Sequence, residues 1–106
     1  MANNGIPNRD NRDGGATRRI RAMIRCEVRQ GSRPWTTVYL EDISVTGFRI
    51  ASYRECRAEL PLRIRIPGLQ MLNARVCWQE GEAVGCEFDQ PLHVAVFEHM
   101  VSQAGG

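Results

Sequence analysis

The sequence predicts a mainly β protein, a six-stranded antiparallel barrel followed by one C-terminal helix. Six short segments alternate apolar and polar residues and are separated by turn-forming residues, and after Asp89 the apolar spacing changes to three and four residues. The chain has 106 residues, which is the usual size of one domain, and 42% of them are hydrophobic, enough for one core.

The chain begins with a segment that has no apolar periodicity. Residues 1–17 are polar and rich in Gly and Asn, so we predict a flexible arm there and a folded domain over residues 18–103. From Arg21 the residues alternate, which is typical of a half-buried strand. One side carries Ala22, Ile24, Cys26 and Val28, and the other carries Met23, Arg25, Glu27 and Arg29.

Five further strands are predicted from the same alternation. Residues 30–34 interrupt the pattern, and Pro67-Gly68 is a turn signal between the fourth and fifth strands. In the fifth strand, strict alternation places Trp78 on the same side as Leu72, Ala74 and Val76. The strands are expected at Trp35 to Leu40, Phe48 to Ile50, Leu62 to Ile66, Leu72 to Gln79 and Val84 to Phe88.

A single amphipathic helix is predicted at the C-terminal end. Pro91 suits a first helical position, and the helix is expected to end in Ala104-Gly105-Gly106. Its apolar stripe is predicted to contain Leu92, Ala95, Val96, His99 and Met100.

The charge of the chain points to a small anionic partner. All 14 basic residues are Arg, whose planar guanidinium suits phosphates and base edges, and the net charge is +2. Residues 1–30 contain seven Arg and three acidic residues, whereas the rest contains seven Arg and nine acidic residues. An anionic ligand near the N-terminal side fits this distribution, and a long nucleic acid does not.

Several classes of protein are disfavoured. The four cysteines are irregularly spaced and His93 and His99 are six residues apart, so neither a zinc motif nor a helical metal site is expected. There is no signal peptide or membrane-spanning run, which predicts a cytoplasmic protein with reduced thiols. The residues contain no recognisable catalytic constellation, so we expect neither an enzyme nor a cofactor.

The segment Asp42-Ile-Ser-Val-Thr-Gly47 is the main candidate for a functional loop. Asp42, Ser44 and Gly47 have the spacing of an Asx-type turn followed by a glycine of positive φ, so an ordinary structural turn is one interpretation. The other is a ligand-binding loop, because basic residues cluster before and inside the first strand. These residues are Arg18, Arg19, Arg21 and Arg25.

Over residues 18–101 the sequence resembles the PilZ domain family, bacterial receptors for cyclic di-GMP. The family pattern is an Arg-x-x-x-Arg segment followed by an [Asp/Asn]-x-Ser-x-x-Gly loop. Here Arg21-Ala-Met-Ile-Arg25 and Asp42-Ile-Ser-Val-Thr-Gly47 match it in order. Alternatively, Arg21 is the second arginine of the pair, with Thr17 four residues before it, and Arg18 or Arg19 supplies the first guanidinium. The segments Ala74 to Trp78 and Gly85 to Phe88 are similar to the family's final hairpin.

The resemblance implies a cyclic di-GMP site on the outer surface of the barrel, between the arm and the loop. Arg18, Arg19, Arg21 and Arg25 would contact phosphates or guanines, Asp42 would accept from guanine, and Gly47 would allow close approach. Ser44 would donate to phosphate or brace the loop, and Arg49 and Arg75 are accessory candidates. The arm would become ordered on binding, and a monomeric domain would signal to an unidentified effector protein.

Two alternatives remain open at this point. One is a PilZ-like adaptor that has lost the nucleotide and acts through protein contacts. The other, a nucleic-acid-binding barrel, is disfavoured because the aromatic residues Trp35, Tyr39, Tyr53 and Trp78 are separated and fit strand positions.

Overall fold

The computed structural model describes residues 19–105, which form six strands and one helix. The predicted arm, residues 1–17, lies outside the described residues. The strands are β1 (Ile20–Arg29), β2 (Thr36–Ile43), β3 (Gly47–Ile50), β4 (Leu62–Arg65), β5 (Leu72–Glu80) and β6 (Ala83–Phe88), and the helix is α1 (Val94–Gly105).

The strands close into an antiparallel barrel in the order β1, β2, β3, β6, β5, β4, and β4 pairs back with β1. The predicted fold class is therefore confirmed. The predicted turn between β4 and β5 is also present, because Leu69 N donates to Ile66 O at 3.0 Å and Gly68 has a φ of 87°. That φ is the left-handed conformation which the third residue of a type II turn requires.

The alternating strand residues form one core inside the barrel. Six hydrophobic strand residues are fully buried, with no measurable exposure: Val28, Leu40, Ile43, Ile50, Leu62 and Ile64. The helix contributes Phe97, which is 1% exposed, and Met100, which is 5% exposed, to this core. Strands, turns and helix therefore share a single hydrophobic interior.

Strand boundaries differ from the prediction where it matters for function. β2 was expected to end at Leu40, but it continues to Ile43, so Asp42 lies inside a strand rather than in the loop. A bulge between Leu40 and Asp42 explains the extension. Because the fully buried Leu40 and Ile43 are three residues apart, the bulge places Glu41 and Asp42 together on the outer side of the barrel.

A second bulge reverses the predicted orientation of Trp78. In the pairing of β5 with β6, Val76 is opposite Cys86 and Trp78 is opposite Gly85, so β5 has one extra residue at Cys77. The side chain of Trp78 consequently lies on the outer surface and is 42% exposed. The predicted grouping of Trp78 with Ala74 and Val76 is wrong, because it assumed strict alternation through a bulged strand.

The connection between β3 and β4 contributes to the core although its sequence is polar. Residues 51–61 leave the sheet because β3 pairs with β6 and not with β4. Tyr53 and Cys56 are buried, and Tyr53 N donates to Glu82 O at 2.8 Å. The fully buried Gln30 fixes the segment, since its Nε2 donates to Arg57 O (2.8 Å) and Leu60 O (3.0 Å).

The helix begins later than predicted. Pro91 lies three residues before Val94, and the first helical turn is capped by His93, whose Nδ1 accepts from Ala95 N at 3.0 Å. The predicted apolar stripe is also partly wrong, because the buried side chains over residues 94–102 of the helix are Phe97 and Met100. The preceding segment is held extended by Leu92 N, which donates to Val45 O at 2.7 Å. The predicted stripe residues Ala95, Val96 and His99 are exposed.

Candidate functional site

The segment Ser44–Thr46, which joins β2 to β3, is held by hydrogen bonds within itself. Ser44 Oγ accepts from Thr46 N at 3.2 Å and from Gly47 N at 3.3 Å, and Ser44 N donates to Gly47 O at 2.8 Å. Ser44 is only 2% exposed. Its hydroxyl therefore braces the turn, which is one of the two roles expected for it.

Gly47 is required by the neighbouring strand. A Cβ at this position would lie 2.3 Å from Cys86 O and 3.2 Å from Glu87 Cα, because Gly47 is paired with Glu87 in the sheet. Its φ is not among the positive values of the described residues, so the left-handed glycine that the structural-turn interpretation would use is not present. The absence of a side chain at Gly47 allows the backbones of β3 and β6 to approach each other closely.

Arg19 and Asp42 form an ion pair beside this loop. Arg19 Nη1 donates to Asp42 Oδ1 at 3.1 Å, and the two side chains are 60% and 9% exposed. Arg21 is exposed and lies directly opposite Asp42 in the pairing of β1 with β2. One guanidinium and one shielded carboxylate are thus in contact on the outer surface, and a second arginine occupies the strand position opposite that carboxylate.

A pocket of about 210 Å³ adjoins the ion pair and the loop. Trp78 forms part of its wall, and the indole lies over Gly85, where an added Cβ would be 2.1 Å from Trp78 Cε2. Arg49 faces this indole, with its Cζ 5.6 Å from the ring centroid, and its Nε is 2.9 Å from Glu41 Oε1. The residues that line the pocket include Arg19, Thr46, Gly47, Arg49, Trp78 and Glu87.

The remaining predicted residues lie elsewhere. Arg18 is outside the described residues. Arg25 is opposite Tyr39, further along β1, and lines a different cavity with Arg65. Arg75 is exposed and hydrogen-bonded to Glu87, and this bond raises the pKa of the Arg75 guanidinium. The structure therefore brings Arg19, Arg21, Asp42 and the braced loop together and leaves Arg25 apart.

Sequence reasoning missed Trp78 as a wall of the pocket. The available signal was Gly85, since a glycine inside a strand marks a close approach by a neighbour. Cys77 and Cys86 also line the pocket. Burial raises the pKa of the Cys86 thiol to about 12, so this thiol stays protonated at neutral pH.

Comparison with known proteins identifies the family. The PilZ domain family model matches residues 14–103, so the chain belongs to the PilZ domain family. Members of this family generally bind cyclic di-GMP and are non-catalytic receptor domains.

Solved structures agree on the fold. Five chains match significantly, among them the crystal structure of the PilZ domain of CeSA from a cellulose-synthesizing bacterium. That domain is 20% identical, has a TM-score of 0.62, and aligns over 85% of this chain and 97% of its own. No curated protein matches at a significant level.

Two further observations concern metal-binding groups and membrane-spanning helices in the described part of the chain. Residues 19–105 contain no group of three or more His, Cys, Asp or Glu side chains arranged to hold a metal ion. Among the same residues, no helix is long and apolar enough to cross a membrane.

Proposed function

We propose that this domain is a receptor that binds cyclic di-GMP beside the Asp42–Gly47 loop and signals to a partner protein. The observation that carries the proposal is the Arg19–Asp42 ion pair at the edge of the 210 Å³ pocket, next to the turn braced by Ser44. Membership of the PilZ family supports the choice of ligand.

The chemistry of these side chains suits a guanine dinucleotide. A guanidinium can form paired hydrogen bonds with phosphate oxygens or with O6 and N7 of guanine. Asp42 is a carboxylate with low exposure, and it can accept from the N1 and N2 donors of guanine. In this proposal Arg19 and Arg21 contact the ligand, and Asp42 exchanges part of its interaction with Arg19 for one with the base.

The size of the pocket suggests which part of the ligand lies inside it and which part lies on the outer surface. Its volume of about 210 Å³ is below the roughly 300–1,000 Å³ of ligand-binding clefts, so it suits one base of the dinucleotide. A purine can stack on the half-exposed indole of Trp78 if it displaces the Arg49 guanidinium, whose Cζ is 5.6 Å from the ring centroid. The phosphates and second base would then lie over the outer surface near Arg21.

The proposal assigns different parts to the other predicted residues. Arg18 precedes Arg19 directly, so it can join the ligand contacts, and the arm would become ordered as it does so. Ser44 and Gly47 shape the loop rather than contact the nucleotide. Arg25 lies opposite Tyr39 and is assigned an outer contact at most. The ordered arm and nucleotide together would form the surface that a partner recognises.

The proposed setting is the cytoplasm. All four cysteines are free, and three of them are buried, which suits a reducing compartment. The domain is proposed to act as a monomer and to leave the nucleotide chemically unchanged.

Calorimetric titration with cyclic di-GMP tests the proposal. The variant Arg19→Ala/Arg21→Ala is expected to bind at least about tenfold more weakly, because hydrogen bonds to charged groups contribute about 1.5–3 kcal/mol each. Asp42→Ala should also weaken binding by removing the guanine acceptor. The matched control is Arg54→Ala/Arg57→Ala, which removes two exposed guanidiniums elsewhere on the barrel.

The outcomes separate clearly. If the control retains affinity and the two site variants lose it while melting near the wild-type temperature, the site is as proposed. If the wild-type protein shows no heat of binding at high micromolar nucleotide, or the control loses as much affinity as the site variants, the proposal fails.

A second candidate function is an adaptor that has the PilZ fold without nucleotide binding. The observation that favours it is the separation of Arg25 from Asp42, because only part of the predicted arginine set meets the loop. If calorimetry detects no heat of binding for cyclic di-GMP while the domain still binds a partner protein, this second function is favoured.

A further inference from the structure

The outer face of β1 and β4 carries unbalanced positive charge. We call this surface the basic face and define it by Arg25, Glu27, Arg29, Arg63 and Arg65. In the pairing of β1 with β4, Glu27 is opposite Arg65 and Arg29 is opposite Arg63. Glu27 Oε1 is 3.2 Å from Arg65 Nη2, so the acidic residue of the face is already paired.

Arg29 and Arg63 lie directly across from each other without a carboxylate between them among the described residues. Like charges at directly opposed strand positions are unfavourable. Arg63 Nη2 donates to Gly31 O at 3.0 Å, whereas the buried Arg29 Nε has no hydrogen-bond partner in the described part of the chain. An external anion that binds between the two guanidinium groups would relieve their mutual repulsion.

Trp35 holds two of these guanidiniums in place. The Cζ of Arg65 is 3.8 Å from the Trp35 ring centroid, and that of Arg29 is 5.9 Å from it. Such cation–π contacts restrict the long Arg side chains before a ligand arrives. Binding at this face would therefore order few additional rotamers, which lowers its entropic cost.

We infer that the basic face is a docking surface for a short acidic segment of a partner protein. Carboxylates of Asp or Glu side chains match the planar guanidinium fork, and all four basic residues of the face are Arg. One carboxylate would lie between Arg29 and Arg63. Another would reach the cavity of about 330 Å³ that is lined by Arg25, Glu27 and Arg65.

The extent of the face favours a protein segment over a long polyanion. Arg25 and Arg29 are four residues apart on β1, a distance of about 13 Å, which an extended peptide of four or five residues covers.

The aromatic residues favour the same partner. The Trp35 ring is already contacted by two guanidiniums, which leaves it poorly placed to stack on bases. Tyr39 is opposite Arg25, is 46% exposed, and offers an amphipathic anchor at the end of the face. Tyr, Trp and Arg are the residue types enriched at the centres of protein interfaces.

Fluorescence anisotropy of a fluorescein-labelled decaglutamate peptide, titrated with the full chain at low salt, tests the inference. Binding should weaken as salt increases, because exposed charges are screened. In two-dimensional NMR spectra, unlabelled peptide should shift the Trp35 indole resonance and the amides of β1 and β4. These measurements need no nucleotide, so they are independent of the proposed cyclic di-GMP site.

The test variant is Arg63→Gln/Arg65→Gln, which should lower peptide affinity about tenfold. The charge-matched control is Arg54→Gln/Arg57→Gln, which should bind within about twofold of wild type. Arg29→Gln is a second test variant if loss of the bond from Arg63 to Gly31 O unfolds the β1–β2 turn.

Each result decides the inference. Weaker binding by the test variant alone, with shifts confined to the basic face, supports an acidic protein partner. No peptide binding, equal losses in test and control variants, or shifts at Asp42–Gly47 would overturn it. Tighter binding to single-stranded decathymidylate or to phosphatidylserine vesicles than to the peptide would overturn it in favour of a nucleic acid or a lipid surface.

Discussion

Two positions of the site, Gly47 and Gly85, are glycines because a side chain at each would collide with a different neighbour. At Gly47 the obstacle to a side chain is the backbone of β6, at 2.3 Å. At Gly85 it is the indole of Trp78, at 2.1 Å, which belongs to a partly exposed side chain that can rotate away. The first glycine therefore protects the fold, and the second determines where Trp78 lies.

Gly47→Ala is expected to lower the free energy of unfolding by about 3 kcal/mol, because the strand backbone cannot move aside cheaply. Gly85→Ala is the matched control and should cost about 1 kcal/mol while displacing Trp78. Urea unfolding measures both losses, and the Trp78 indole resonance reports the displacement. Equal losses in the two variants would contradict this assignment.

The four cysteines should differ sharply in reactivity. Burial raises the pKa of the Cys26 and Cys86 thiols to about 12, and Cys56 is also buried with a raised pKa, whereas Cys77 is exposed. Because the thiolate is the reactive form, a disulfide reagent at pH 8 should label Cys77 first and the other three at the rate of unfolding. Mass spectrometry of the labelled protein identifies the site, and early labelling of Cys86 would contradict the prediction.

At the scale of elements, the loop and the helix are physically joined. Val45 O accepts from Leu92 N at 2.7 Å, and Thr46 O accepts from Phe88 N at 2.9 Å. The candidate ligand loop is thus bonded to the end of β6 and to the segment that enters α1. A ligand that moves the loop would act on the segment before the helix through the bond between Val45 and Leu92.

The helix is held mainly by Phe97. Phe97→Ala should lower the free energy of unfolding by about 3–5 kcal/mol, because it removes an aromatic ring that is 1% exposed. Val94→Ala is the control on the exposed side of α1 and should cost at most about 0.5 kcal/mol. Chemical denaturation measures both values, and a loss for Phe97→Ala no larger than that of the control would show that the helix does not complete the core.

The connection between β3 and β4 depends on one polar side chain. Gln30→Ala would leave Arg57 O, Leu60 O and Arg57 N without their present partner, since all three bond to the Gln30 amide. We expect a loss of about 2–4 kcal/mol in the free energy of unfolding and faster amide exchange over residues 51–61. Gln70→Ala, at an exposed turn position, should have neither effect, and unchanged exchange in Gln30→Ala would refute the anchoring role.

At the scale of the whole molecule, a receptor without catalysis should be stabilised by its ligand and should return it intact. Free cyclic di-GMP at about 100 times its dissociation constant is expected to add about 2.7 kcal/mol to the free energy of unfolding. Thermal melts with and without nucleotide test the stabilisation, and chromatography after prolonged incubation tests recovery. Loss of the nucleotide to hydrolysis products would contradict the receptor role.

Much of the architecture was determined by the sequence alone, because local alternation and turn chemistry specify strands directly. The pattern of β4, with Leu62 and Ile64 inward, predicted its burial, and Pro67-Gly68 predicted the turn that follows. The motif from Asp42 to Gly47 and the nearby arginines also indicated the family.

Tertiary structure decided which residues face outward and which strands pair, because the local pattern of apolar residues does not specify either. The bulges in β2 and β5 changed which residues face outward, and so brought Glu41 and Asp42 to the same side and moved Trp78 to the pocket wall. Barrel closure set β4 against β1 and thereby placed Arg29 opposite Arg63, although the two residues are far apart in the chain. The physical reason is that an extra strand residue and a long-range pairing depend on partners, and a single strand's sequence does not specify its partners.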